Sequence, residues 1–159
     1  MPVPPFVLAL REHVGHDQLW LPGVTAVVLR THAGREQALL VRRADTGAWT
    51  PVTGVVDPGE EPAVAAAREV LEEADVVAVP ERLAWVGVVG PVTYENGDRA
   101  VYLDLTFRFR WVSGDPRPAD GENTDARWYD LDALPPMSDG MAARLAAGLV
   151  PHGEADFVA

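Results

Sequence analysis

Residues 54–76, GVVDPGEEPAVAAAREVLEEADV, hold seven carboxylates (Asp57, Glu60, Glu61, Glu69, Glu72, Glu73 and Asp75) and one guanidinium, Arg68. Seven acids less one base leaves six of the chain's eleven net negative charges in this window. Glu69 lies three residues before Glu72 and four before Glu73, so on a helix the three share one arc. Like charges at that spacing oppose an isolated helix by about 0.2–0.5 kcal/mol per pair. With one Arg nearby, such an arc asks for a compensating cation. Hard divalent ions that take carboxylate ligands, Mg²⁺ or Mn²⁺, answer that need. Arg68, four residues before Glu72, can also hold a neighbouring carboxylate through two parallel bonds. A solvated charged face explains the same triplet without a metal, and on the triplet alone the two explanations weigh about equally.

Such an arc needs a helix and a surface to carry it. Pro62–Ala74 supplies the helix: Pro62 suits the first helical position, and Glu60 and Glu61 favour its positive end. Ala63, Val64, Ala67, Val70, Leu71 and Ala74 recur at helical spacing and define the face expected to be buried, opposite the glutamates. Strands are expected at Gly23–Thr31 and Gln37–Arg43, joined by a hairpin turn at Ala33-Gly34, and at Leu83–Tyr94. Asn96-Gly97 is a second hairpin signal. After it, residues 100–112 alternate, with Val101, Leu103, Leu105, Phe107, Phe109 and Trp111 on one side and Tyr102, Asp104, Thr106, Arg108 and Arg110 on the other. Ala44–Thr53 reads as turn-rich and Ser113–Thr124 as a polar loop. Ala126–Asp130 reads as a short strand and Ser138–Val150 as a last helix. Pro5–Val14 suits a first helix with Arg11 and Glu12 outward, and the tail after Pro151 reads as frayed. Mixed strands and helices with adjacent antiparallel pairs predict an α+β, or mixed α/β, fold.

The spacing in the window is more specific than the charges. Gly54, five residues, Glu60, seven residues, Arg68-Glu69, Val70, Leu71, Glu72-Glu73, Ala74, Asp75 and Val76 together resemble the signature of the Nudix hydrolase family, the MutT-like pyrophosphohydrolases. Trp49 and Pro51 before it, and WYDLDALP after it, are similar to the family's flanks, so the likeness runs from about Gly23 to Pro135. It implies an αβα sandwich, with a mixed curved sheet and the signature helix packed on it. The expected organisation is an N-terminal helical segment 1–20, one domain over 21–150 and a tail 151–159. The implied activity is Mg²⁺- or Mn²⁺-dependent hydrolysis of the pyrophosphate in a nucleoside diphosphate linked to another moiety. Substrates of this kind include nucleotides, ADP-ribose-like compounds and dinucleoside polyphosphates. By the resemblance Glu72 and Glu73 are the principal metal ligands, with Glu69 a ligand or a base, and the Thr53 backbone carbonyl contributes. Arg68 orients Glu69 or pairs with Glu60, which is then structural, as is Gly54. The general base of the family often comes from a distal loop. Glu122 is the candidate here, with Asp120 and Asp125 behind it. Asp75 departs from the pattern, standing where the family has a Gly at a left-handed helix cap. Asp adopts that conformation at some cost relative to Gly.

The rest of the chain bounds the reading. Its 159 residues suit one domain, and 48% hydrophobic against 23% charged residues is an ordinary globular composition. Without Cys there is no disulfide, thiolate metal site or Cys nucleophile, and all 13 basic residues are Arg, so lysine chemistry is absent too. A formal charge of −11 argues against nucleic acid grasped through its phosphates by a broad basic face. No stretch reaches the roughly 18 apolar residues of a membrane span, and no leader is evident, so the expected setting is cytoplasmic and free of membrane. The expected partner is a small nucleotide, with Arg42, Arg43, Tyr94 and Trp128 as candidate contacts, although residues of these types more often pack in a core or lie solvated on a strand. A homodimer through the apolar segment Pro2–Leu10 is a further expectation. The competing function is a sensor of the same fold that binds a nucleotide metabolite without turning it over.

Overall fold

A computed structural model describes residues 3–159; Met1 and Pro2, which begin the segment 1–20 and the apolar stretch Pro2–Leu10, lie outside the described residues. Helix α1 (Pro5–Val14) opens on Pro5 and ends at Gly15, whose φ of 58° suits glycine. Its apolar stripe, Phe6 and Val7, packs on Leu19, Leu21, Ala100 and Tyr102. Arg11 is not outward as expected. Its guanidinium turns back to donate to the carbonyls of Gly15 (3.0 Å) and Arg99 (2.7 Å) and lies 3.5 Å from the Asp98 carboxylate.

The sheet is mixed and open. Strand β1 (Leu19–His32) runs at its centre, parallel to β6 (Arg99–Ser113) from Leu19↔Ala100 to Leu29↔Arg110. On its other edge β1 pairs antiparallel first with β4 (Val52–Val55) and then with β2 (Arg35–Arg43). The β1–β2 hairpin turns at Ala33 and Gly34, with φ of 49° and 75°, as a tight primed turn requires. Strand β5 (Val77–Thr93) pairs antiparallel with β6, while β3 (Trp49–Thr50) and β7 (Asn123–Asp130) pair with β2. The turn-rich segment thus contains β3 and the start of β4, which Pro51 and Gly54 deprive of a readable alternation. The tail is not simply frayed, because β8 (Asp156–Phe157) joins the outer edge of β5. Strands β1 and β5 begin four and six residues before their expected starts, Gly23 and Leu83.

Alternation splits the sheet's two faces. Val24, Ala26 and Val28 of β1, with Leu39, Val41, Phe107 and Phe109, form the main core beneath α2 (Pro62–Ala74). Val27, Leu29 and Ala38 point the other way and meet Leu145 of α3 (Asp139–Leu149), while α1 covers the start of β1 on the same side. The layers are therefore helix, sheet, helices. The face α2 buries is rotated from the expected one. Val64 and Leu71 are 59% and 49% exposed, whereas Ala65, Ala66, Glu69, Val70, Glu73 and Ala74 are buried. Among the described residues no helix is long and apolar enough to cross a membrane.

Candidate active site

Helix α2 and strand β4 make the floor of the site. Strand β4 places Gly54 opposite Val24 and Thr53 opposite Thr25. Gly54 has to be glycine, because a Cβ there would come within 2.2 Å of Glu69 Cγ. The helix therefore lies close enough on β4 to enclose two of its own carboxylates. Glu69 is 1% and Glu73 2% exposed. They are not opposite the apolar face but at its edge.

Arg68 ties the outer rim together. Its Nε and Nη2 donate to the two carboxylate oxygens of Glu60, both at 2.9 Å. Its Nη1 donates to Glu69 Oε1 at 2.9 Å and Glu72 Oε2 at 3.2 Å. Glu60 also accepts from the Asp57 amide at 3.2 Å, closing the loop ahead of the helix. The fork of Arg68 holds the Glu60 carboxyl below its usual range, and Glu60 in turn raises the Arg68 guanidinium. Glu72 is turned to this rim, on the exposed side of the helix.

The inner acids behave differently. Burial pushes Glu69 up to about 7 despite its bond to Arg68. Burial likewise pushes Glu73 up to about 8, opposed by a 2.8 Å bond from Asn123 Nδ2 and reinforced by Glu69, Glu122 and Asp120. Glu69 Oε2 is buried with no hydrogen-bond partner among the described residues. One carboxylate oxygen from each of Glu73, Asp120 and Glu122 lies within 4.8 Å of the others. A buried carboxylate oxygen without a donor, beside three convergent carboxylates, is a donor set suited to a hard divalent cation.

The loop between β6 and β7 brings the two distal acids. Its Arg117 and Ala119 amides donate to the Ala74 and Glu73 carbonyls at the end of α2, at 3.1 and 3.3 Å. Ala44 N donates to the Glu122 carbonyl at 2.8 Å, joining this loop to the end of β2. Asp75 caps α2 in the left-handed conformation, φ 55° and ψ 35°.

The candidate substrate contacts separate. Arg43 lies near the acids: Asp45 holds it in a two-bond fork at 2.8 and 2.9 Å, and Glu122 and Glu73 further raise its guanidinium. Arg42 alternates with Val41 and so faces away from α2, with its Nε on the Gly47 carbonyl at 3.2 Å. Tyr94 joins its hydroxyl to that of Tyr102, which packs with α1 on the opposite face from α2. Trp128 packs on the main core beneath the Arg30 guanidinium, 4.2 Å from its ring centre, with Trp111 edge-on. Asp125 pairs with Arg127 instead of joining the acids. Asn123 is the residue that sequence reasoning missed. It begins β7 opposite Arg43, and only that register reveals it.

Known proteins resemble this chain in sequence and in fold. The NUDIX domain family matches over residues 20–152. The NAD-capped RNA hydrolase NudC of Chromobacterium violaceum is 34% identical over 134 residues, which cover 80% of this chain and 47% of that protein. The chain thus spans about half the length of this relative. A MutT-like protein of Streptomyces ambofaciens is 32% identical over 123 residues, 77% of this chain and 72% of that protein. Among solved structures, a MutT NUDIX hydrolase from Burkholderia pseudomallei superposes with a TM-score of 0.57 at 27% identity, over 81% of this chain and 98% of that one.

Proposed function

The chain belongs to the NUDIX domain family, and from that premise we propose that it hydrolyses the pyrophosphate bond of a nucleoside diphosphate linked to another moiety, using Mg²⁺ or Mn²⁺. The observation that carries the reading is that buried Glu73 converges with Asp120 and Glu122, while Glu69, buried on the same helix, leaves Oε2 unpartnered. The NudC relative, by its name a hydrolase of NAD-capped RNA, favours a substrate whose pyrophosphate joins two nucleosides, with NAD the first to test.

Glu73, Asp120 and Glu122 would hold the cation, and Asn123 orients Glu73 by donating to its Oε2. When bound, the cation neutralises the phosphate oxygens and lowers the pKa of water at the site. Glu69, held by Arg68 through one oxygen, keeps the other aimed inward to take the proton of the attacking water. Arg68 keeps that oxygen oriented and ties Glu72 to the rim, so Glu72 assists from the outside. Arg43 meets charge on the phosphate beside Glu122. Thr53 serves through its backbone carbonyl in β4. The working unit is the domain 21–150, with α1 and β8 as flanking segments, and the setting is the cytoplasm. A second copy docking through the exposed side of α1 is compatible with the site.

The test is release of the two phosphorylated halves, AMP among them, from NAD, ADP-ribose and adenosine dinucleoside polyphosphates, with Mg²⁺ and with chelator. Metal-dependent turnover of one of these is expected, and Glu73→Gln should lower kcat by at least a hundredfold while the protein stays folded. Full activity in Glu73→Gln sinks the assignment. Tight binding of one compound without turnover supports the sensor instead.

A further inference from the structure

We propose that Asp75 and Arg117 form a latch that holds the loop carrying Asp120 and Glu122 against Glu73, which makes both of them positioning residues for the cation site. This rests on the reading of Glu73, Asp120 and Glu122 as the cation's ligands.

The loop leaves β6 and touches the end of α2 at three places. At Gly114, where φ is 94°, a Cβ would lie 2.5 Å from the Asp75 carbonyl oxygen, so only glycine lets the chain pass this close. The Arg117 and Ala119 amides then bond the Ala74 and Glu73 carbonyls at 3.1 and 3.3 Å. Those carbonyls have no partner within the helix, so the loop completes its last turn. The second of these bonds is long, however, and the load on them is unfavourable. The same segment must bring two carboxylates to within 4.8 Å of a third, Glu73, and like charges repel.

Asp75 resolves this. As a local choice it is poor, because it is a non-glycine residue in the left-handed region and its carboxylate sits at the negative end of the helix. Its carboxylate accepts from Arg117 Nε at 2.8 Å. Arg117 thereby adds a side-chain tether to the backbone bond that the same residue already makes, three residues before Asp120. Its guanidinium is also the favoured charge at a helix C-terminus. Replacement of the family's Gly by Asp exchanges an unstrained cap for a tether on the acidic loop.

The experiment measures Mn²⁺ binding without substrate, by the signal of free Mn²⁺, for the full chain and for Asp75→Gly, Arg117→Ala, the double variant and Glu73→Gln. Amide exchange over residues 117–122 and the melting temperature in chelator are followed in parallel. Both single variants should bind Mn²⁺ about two- to fivefold more weakly, as a partly exposed ion pair allows. The double variant should be no weaker than Arg117→Ala, and exchange over 117–122 should quicken in each. Asp75→Gly should melt at the same temperature or higher, because glycine suits the cap. A purely structural role would instead move affinity and stability together. Wild-type affinity in both single variants, or fully additive losses, overturns the latch while a Glu73→Gln loss leaves the cation site standing. Failure of the wild-type chain to bind Mn²⁺ more tightly than Glu73→Gln overturns the cation site and the latch with it.

Discussion

At the scale of residues, the informative feature is that two glutamates of one helix are enclosed where neither can carry its charge cheaply. In the metal-free protein Glu73 is pushed to about 8 and Glu69 to about 7, both above an ordinary glutamate near 4.5. A carboxyl raised on folding holds its proton in the native state after the unfolded chain has lost it. The stability this contributes is complete below about 4.5 and is lost as pH rises through 7 to 8. On the proposed reading a cation would replace the Glu73 proton, so metal binding should release protons and lessen the loss. Melting in chelator should therefore fall by several degrees between pH 6 and pH 8.5, and saturating Mg²⁺ should flatten the fall. A chelated protein whose melting temperature holds or rises across that interval would contradict the enclosure of Glu69 and Glu73. The sequence names these glutamates through their spacing and the Arg68-Glu69 step. It does not name Asn123, because nothing in GENTDARW distinguishes an amide that will face Glu73 from one that will face water. That difference is set by the register of β7 on β2, fifty residues from Glu73 in the chain.

At the scale of elements, the helices were readable from their own ends and periodicity. Both Pro62–Ala74 and Pro5–Val14 begin on proline, and Ser138 caps α3 by accepting from the Met141 amide. What periodicity does not settle is which face of α2 goes in. Val64 and Leu71 extend the apolar arc in sequence, but β4 approaches from the other side and takes Glu69 and Glu73 inward. A four-residue strand holding Gly54 leaves no alternation to read. The alternation of β6 does separate its faces, yet the polar side is not the solvent side. Asp104 and Thr106 are buried beneath α3, where Arg144 donates to Asp104 at 3.2 Å and to Thr25 at 2.8 Å. Asp104 also accepts from the Thr25 and Thr106 hydroxyls at 2.9 and 2.8 Å, so the network fastens α3 to the sheet. Loss of one partner from a buried pair strands the other charge. Arg144→Met should destabilise the protein by about 3 kcal/mol in urea unfolding. Asp104→Asn added to it should recover part of that loss, since an amide keeps partners in Thr25 and Thr106 without a buried charge. The acids lie on the other face of the sheet, so Mn²⁺ affinity should be unchanged in the folded variant. An Arg144→Met protein as stable as wild type would show the pair to be dispensable.

At the scale of the whole molecule, the question is how a chain of charge −11 would attract the phosphorylated substrate proposed for it. Several of its arginines are committed within the fold. Arg68 binds Glu60, Glu69 and Glu72. Arg144 binds Asp104. Arg82 and Arg108 donate to the carbonyls that end α3, at Ala147, Gly148, Leu149 and Val150. These guanidiniums fasten helices and orient carboxylates, and they do not assemble into a basic face. The net field therefore opposes an anionic substrate at long range, and on the proposed reading attraction would come from an acid-held cation with Arg43 beside it. That division of labour sets the sign of the salt dependence. A basic grip weakens steeply as ions are added, whereas screening a like-charged approach speeds association. With Mg²⁺ kept saturating, kcat/KM for the turned-over dinucleotide should stay level or rise up to about twofold between 10 and 150 mM monovalent salt. A fall of tenfold or more over that range would mean that arginine side chains, and not the acid-held cation, draw the phosphates in.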